Sequence, residues 1–455
     1  MKCVNKKYFG IRLILIILVG IFGITGCYKK KKNTSLWSLA LSGGGVTATN
    51  ATTGATADSV ATPTFSPAAG YYATMQNVSI TTKTSGANIY YTTDGNTPTT
   101  SSIVYSTAVH IWSLAGKTVK VFATKTSFLD STELSGVFSY PPLKSGQTTV
   151  YVAGDNGTNQ TGAARGYTGP TAHGRYTGDY TTTDNATGLV WKTCTQGLSG
   201  ATCATGTAVT LTWANASADV ANGCNALNSA NSGNGYAGLK TWRLPTIQEL
   251  ETLSDYSRTN PSIDTTVFPA TLAKSYWSST TFAAFTTNAW VVSFSSGEVS
   301  YFVNSSSSYV RCVSGLPKGD SSNFTDNSDG TVKDNATGLI WQKCSQGQNN
   351  DATCTGAATV ATWATAITYC SGLGLAGKTW RLPHVNELKT IVDTAKATNP
   401  AIDTTAFPAT VSNFYWSSTT FAAFTIYAWN VLFYNGYEGY SPSTNNNYVR
   451  CVSGP

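Results

Sequence analysis

The sequence predicts a multidomain, β-rich protein: a small all-β sandwich followed by two copies of one α+β domain. Three observations carry this. Short runs of β-branched and aromatic residues, separated by turn signals, fill residues 61–141. From about residue 142 the chain repeats itself. The cysteines beyond Cys27 fall into two like sets, Cys194, Cys203, Cys224 and Cys312, then Cys344, Cys354, Cys370 and Cys451.

The N-terminal segment comes first in chain order. MKCVNKKYFGIR is basic, LILIILVGIF is apolar, and ITGC closes the run at Cys27. A short apolar core behind a basic start reads as a secretory signal peptide, here residues 1–26. ITGC resembles a bacterial lipobox, which implies that Cys27 is lipidated after cleavage. The lysines of YKKKK would then sit against anionic head groups, so lipid and basic patch together give stable anchoring. Residues 27–60, small and polar after the lysines, are expected to be a tether. The expected partner is a membrane, through this lipid. The expected location is the bacterial cell envelope, at the outer membrane and exposed on the surface.

That basic start and Lys29 to Lys32 carry +8 between them, so the formal net charge of +7 lies entirely there. The rest is nearly neutral, and only 11% of residues are charged, which argues against a nucleic-acid partner. An even number of cysteines in an exported chain reads as disulfides. Zinc fits poorly, because no C-x-x-C pair occurs and the histidines are only His110, His173 and His384.

Within 61–141 the strand-like runs are NVSITTKT, ANIYYTTDG, KTVKVFATKT and SGVFSYP. ATPTFSPAAGYY (61–72), IYYTTDGNTPT (89–99) and VKVFATK (119–125) resemble the chitobiase/β-hexosaminidase C-terminal domain family. The resemblance implies an immunoglobulin-like accessory module without catalytic residues, read here as a stalk.

The duplication divides the remainder into 142–317 and 318–455. DNATGLVW (184–191) returns as DNATGLIW (334–341), and TWRLP (241–245) as TWRLP (379–383). YWSSTTFAAFT (276–286) returns at 415–425, and YVRCVSG closes both copies. WATAITYCSGL (363–373) places Trp363, Ile367 and Cys370 at helical spacing. Thr246 and Glu249 stand in capping-box positions, which makes Glu249 a helix cap rather than a catalytic acid. His384 takes the Thr246 place in the second copy. Together these motifs resemble the Lcl C-terminal domain family, a domain of unknown function named after a collagen-like adhesin. That resemblance implies a C-type-lectin-like fold. It also implies pairing of Cys224 with Cys312 and Cys370 with Cys451, leaving local pairs Cys194–Cys203 and Cys344–Cys354. The cysteines alone allow three pairings in each copy.

The copies align without gaps from 276–315 onto 415–454, and every difference falls within 287–308 and the matching 426–447. Trp290, Val292 and Phe294 equal Trp429, Val431 and Phe433, whereas Val291, Ser293 and Ser295 became Asn430, Leu432 and Tyr434. Alternate residues of a strand share a face, so one face is expected to fit a core and the other to be free to change. The second copy gained Tyr427, Asn430, Leu432, Tyr434, Asn435, Tyr437, Asn445, Asn446 and Asn447. Tyrosine supplies contact area and asparagine supplies hydrogen bonds, so these residues are the expected ligand-binding face. Drift on an exposed surface is the competing explanation. A narrower one is that the tail is similar to the ends of C-type-lectin-like proteins diversified by retroelements.

Catalytic signals are missing: no phosphate loop, dinucleotide fingerprint or HExxH occurs. No cofactor, metal or enzyme activity is expected. The expected function is non-catalytic adhesion through the second copy, with an extracellular glycan or matrix protein as partner. The alternatives are a structural envelope lipoprotein without a specific ligand, or an accessory subunit in polysaccharide processing.

Overall fold

The computed structural model describes residues 58–318 and 323–454; the expected signal peptide, Cys27 and most of the expected tether lie outside them. Strands dominate, with short helices between them. Four domain-scale sheets of the two copies and two of the sandwich account for most of the order.

In the sandwich, a three-stranded sheet (Thr64–Ser66, Asn77–Thr81, Val109–His110) faces a five-stranded one centred on Thr118–Thr124 and Leu134–Ser139. Burial alternates along Thr118–Thr124, as expected of a strand with one face on a core. Val78, Ile80, Val119, Val121 and Phe138 fill that core.

Each copy holds two larger sheets, and the first adds a two-stranded one (Leu198–Ser199 with Thr205–Gly206). The first copy has one sheet around Val190–Lys192 and one in the order Thr210–Thr212, Ser307–Tyr309, Ser275–Thr281, Asn288–Ser293, Glu298–Val303. The second copy repeats the latter with Val360–Ala361, Asn447–Tyr448, Phe414–Thr420, Tyr427–Leu432 and Tyr437–Pro442. The expected helix forms over Trp363–Ser371, while its counterpart, rich in Asn, Ser and Gly, is cut to Trp213–Ser217. Poor helix formers explain the shortening.

The repeated motifs are the parts that hold each copy together. In TWRLP, Arg243 grips Glu249 with two bonds (2.6 and 2.7 Å) and Arg381 grips Glu387 likewise (2.6 and 2.6 Å). Both glutamates also close a capping box, so Glu249 is a cap, as its spacing indicated. In YWSST, Trp277 and Trp416 donate from Nε1 to Leu211 and Ala361 carbonyls at 2.8 Å. In YVRCV, Arg311 and Arg450 are fully buried, lie over the Phe268 and Phe407 rings, and donate to Thr271 and Thr410 at 2.7 and 2.9 Å. Four disulfides form: Cys194–Cys203, Cys224–Cys312, Cys344–Cys354 and Cys370–Cys451. These are the pairs that the family resemblance implied.

His384 gives this framework a pH dependence. It is fully buried, its Nδ1 accepts the Glu387 backbone N–H at 3.4 Å, and burial lowers its pKa from 6.5 to about 4. Between those values the unfolded chain takes up a proton that the native state refuses. The stability tied to a neutral His384 is therefore full above pH 6.5 and lost as pH falls toward 4. The His384→Thr variant, carrying the first copy's cap, is expected to lose this acid sensitivity. Thermal unfolding at pH 7 and pH 5 should show wild type losing about 2 kcal/mol more than the variant.

The sandwich is not a stalk standing apart. Its core is continuous with that of the first copy, and it touches the DNATGL turn of both. Ser139 donates to the Asn335 carbonyl at 2.6 Å and Tyr140 N–H to Ala336 at 2.9 Å. Gly188 and Gly338, both at positive φ, sit so close to His110 and Tyr71 that a β-carbon would enter those rings. The lead-in counted with the first copy bonds that copy, where Tyr256 N–H donates to the Ser145 carbonyl and Arg165 to that of Thr252, and the second as well. Thr420 N–H donates to Gln147 (2.8 Å), Thr419 to Asn156 (3.3 Å) and Thr161 to Glu387 (3.1 Å). Sandwich, lead-in and both copies pack as one compact unit.

Candidate functional site

The duplicated tail does not present one free face. Tyr427–Leu432 is an inner strand of its sheet, paired with Phe414–Thr420 on one side and Tyr437–Pro442 on the other. Both of its faces are covered. Trp429, Val431 and Phe433 enter two cores, and Ala428 enters the core around Trp363 and Trp416.

Asn430 is therefore buried, not a surface contact. It replaces Val291, which lies in the equivalent core. The exchange is compensated across the strand pair: Asn430 donates to Ser441 at 2.9 Å, where the first copy has Phe302 packed edge-on to Trp277. An apolar pair has become a hydrogen-bonded pair. Asn447 is also buried, in the short strand beside Phe414–Thr420. The reason sequence alternation misled here is that a sheet in this fold is covered on both sides.

Tyr437 and its neighbour Glu438 turn inward to a seam between the copies. Tyr437 donates to Glu298 at 2.7 Å. Lys389 Nζ lies 2.8 Å from Glu438 and 3.1 Å from Glu251, and donates to Tyr256 at 2.9 Å. Tyr256 in turn donates to Glu438 at 3.0 Å and stands edge-on to Trp429. Glu298 corresponds to Tyr437, and Glu251 to Lys389, so equivalent positions meet each other. That is the signature of a two-fold interface, here made within one chain and altered so that unlike groups face. Burial pushes the Glu438 carboxyl up to about 8 against the pull of Lys389. A cavity of about 150 Å³ lies where this seam meets the sandwich, lined by Trp112, Tyr140, Leu143, Val299 and Val392 among others.

The remaining tail residues lie at opposite ends of the strand pair. Leu432, Tyr434 and Asn435 belong to the hairpin end, where Tyr434 is exposed and Asn435 accepts the Tyr437 N–H at 3.1 Å. Roughly 17 Å away along the strands, Tyr427 joins an aromatic cluster that spacing alone did not reveal. Phe421 stacks on Tyr440 with centroids 3.9 Å apart; Phe424 and Tyr427 close the group at 6.2 Å from each other, with Tyr427 6.1 Å from Tyr440. Phe424 is 63% exposed and Ile426 68%. Exposed Asn445 and Asn446 lie in the following turn, where Ser443 N–H bonds Ile426 and Asn445 N–H bonds Pro442.

The first copy carries a related cluster. Phe282 stacks on Tyr301 at 4.1 Å, Phe285 is again 63% exposed, and Phe302 and Val303 are exposed beside them. FAAFT is identical in both copies, so a comparison of the copies does not single these phenylalanines out. Isolated exposed apolar residues mean little, but contiguous ones mark an interaction surface.

The histidines do not converge. His110 lies in the sandwich, His173 stacks on Tyr176, and His384 caps a helix.

Comparison with known families gives two matches. The Lcl C-terminal domain matches residues 180–314 and again 330–453, together more than half of the chain. The chitobiase/β-hexosaminidase C-terminal domain matches residues 67–135. No curated protein and no solved structure matches the chain.

Proposed function

Since this chain belongs to the Lcl C-terminal domain family, with two such domains behind a chitobiase-type domain, we propose that it is a non-catalytic recognition protein of the bacterial cell envelope. In this reading Cys27 carries the lipid and each copy is a C-type-lectin-like variant. The second copy binds an extracellular ligand through the end of its sheet that holds Phe424, Ile426 and Tyr427. The observation that supports it is the exposed aromatic cluster, in which rings already held against one another offer contact area at low entropy cost. Both matched domain types are accessory C-terminal domains, in keeping with binding rather than catalysis. TWRLP, YWSST and YVRCV are used in packing, whereas Phe424 and Ile426 at the aromatic end stay exposed.

The test uses the soluble protein, residues 33–455, against a panel of glycans and extracellular-matrix proteins, with and without chelator. A Phe424→Ala/Tyr427→Ala variant runs beside it. Saturable binding that weakens at least 10-fold in the variant, with thermal unfolding unchanged, is the expected result. Binding that ignores the substitutions moves the site elsewhere, with the exposed hairpin end at Tyr434 next to be examined.

A further inference from the structure

Resting on that recognition reading, we propose that the ligand is an uncharged polysaccharide, and that the chain engages it at two points, one aromatic cluster on each copy. Three observations lead there.

The first is charge. The segments that build the clusters, 280–290 with 300–310 and 419–430 with 439–449, contain no Lys, Arg, Asp, Glu or His. The carboxylates nearest in sequence, Glu298 and Glu438, are committed to the seam, paired with Tyr437, Tyr256 and Lys389. A surface that recognises sulfated or carboxylated chains needs cations, and protein interfaces draw heavily on Arg among their anchors. The segments that build these clusters supply neither.

The second is the kind of side chain present. Aromatic faces are electron-rich and attract the polarised C–H groups that cover one side of a sugar ring. Around the second cluster, Thr425, Thr444, Asn445 and Asn446 are exposed, and such side chains can both donate to and accept from hydroxyl groups. Aromatic planes rimmed by neutral polar groups match a ring that has apolar faces and a hydroxylated edge.

The third is duplication. Phe285 and Phe424 are equally exposed, and each leans on a stacked Phe–Tyr pair, Phe282–Tyr301 or Phe421–Tyr440. The seam joins both copies in one compact unit, so the two clusters are held at a set separation. A polymer that spans both would gain at the second contact from effective concentration rather than from new chemistry.

The experiment measures binding of residues 33–455 to dextran, mannan and xyloglucan, to the anionic polymers heparin and polygalacturonate, and to gelatin. Each is run at 0.05 and 0.5 M NaCl, so the ionic strength varies about tenfold, with Phe285→Ala, Phe424→Ala and the double variant alongside. Near-ultraviolet circular dichroism checks that the variants fold. At least one neutral polymer is expected to bind saturably, with an affinity that changes less than about threefold with salt. Each single variant should weaken it at least 10-fold, and the double variant should abolish it. Binding confined to the anionic polymers or to gelatin, and lost in the same variants, overturns the neutral-polysaccharide assignment while leaving the recognition reading in place. Full affinity in Phe285→Ala overturns two-point attachment. Binding indifferent to both substitutions, or no binding of any neutral polymer, overturns the proposal, and indifference to both substitutions also counts against the reading beneath it.

Discussion

Replacing Lys389 with methionine is expected to destabilise the protein by about 3 kcal/mol or more at pH 8.5, and by about 1 kcal/mol less at pH 5. Lys389 is bonded to Glu438 beside it and to Glu251 across the seam, and Glu438 is fully buried. Burial already raises that carboxyl from 4.5 to about 8, with Lys389 the main influence holding it down. Without the lysine the native carboxyl moves higher still. A carboxyl raised in the native state adds stability that is complete below its unfolded pKa and disappears as pH rises through its native pKa. The loss in Lys389→Met must therefore grow with pH. Urea unfolding followed by tryptophan fluorescence at the two pH values measures it. Adding Glu438→Gln should restore much of the stability and flatten the pH dependence, because a neutral amide replaces the stranded charge. An unfolding midpoint in Lys389→Met that is the same distance below wild type at both pH values would show that Glu438 does not respond to Lys389 in this way.

The second large effect is expected from the long-range disulfides. Replacing Cys370 and Cys451 with alanine should cost about 4 kcal/mol, since their link closes a loop of 81 residues and frees that much chain in the unfolded state. Removing Cys344 and Cys354, only 10 residues apart, should cost about 3 kcal/mol by the same relation. The long link also joins helix Trp363–Ser371 to the segment just before the closing strand Val452–Ser453. Its loss should therefore expose the core around Trp363, Trp380 and Trp416. Denaturation with each pair removed in turn gives the ranking. Equal losses for both pairs would mean that local packing, not loop closure, sets the cost.

The seam between the copies changes what the duplication means. A segment can be copied and then altered for two reasons, to meet a ligand or to meet its twin. Tyr437 and Glu438 serve the second, and Asn430 with Ser441 repacks a core. Tyr427, Asn445 and Asn446 are left beside the exposed rings. Both processes leave the same mark in a pairwise comparison of copies, which is a polar or aromatic residue where a small one stood.

What the sequence determined by itself was local or repeated. The strand alternation around Trp429, the helix at Trp363–Ser371 and the capping box of Glu249 all depend on residues close along the chain, where periodicity and hydrogen-bonding reach decide the outcome. The two-copy organisation was legible because identical strings recur. What only the tertiary structure decided was what lies against each face. Alternation places Asn430 opposite Trp429 on the strand, yet says nothing of the second layer that covers it. Nor can it show that Glu438 finds Lys389 in its own copy and Tyr256 across the seam, or that the sandwich closes on the DNATGL turns. Those contacts join residues that are distant along the chain, and their burial follows from how preformed sheets pack together, a choice set by the sum of many weak contacts rather than by any short motif.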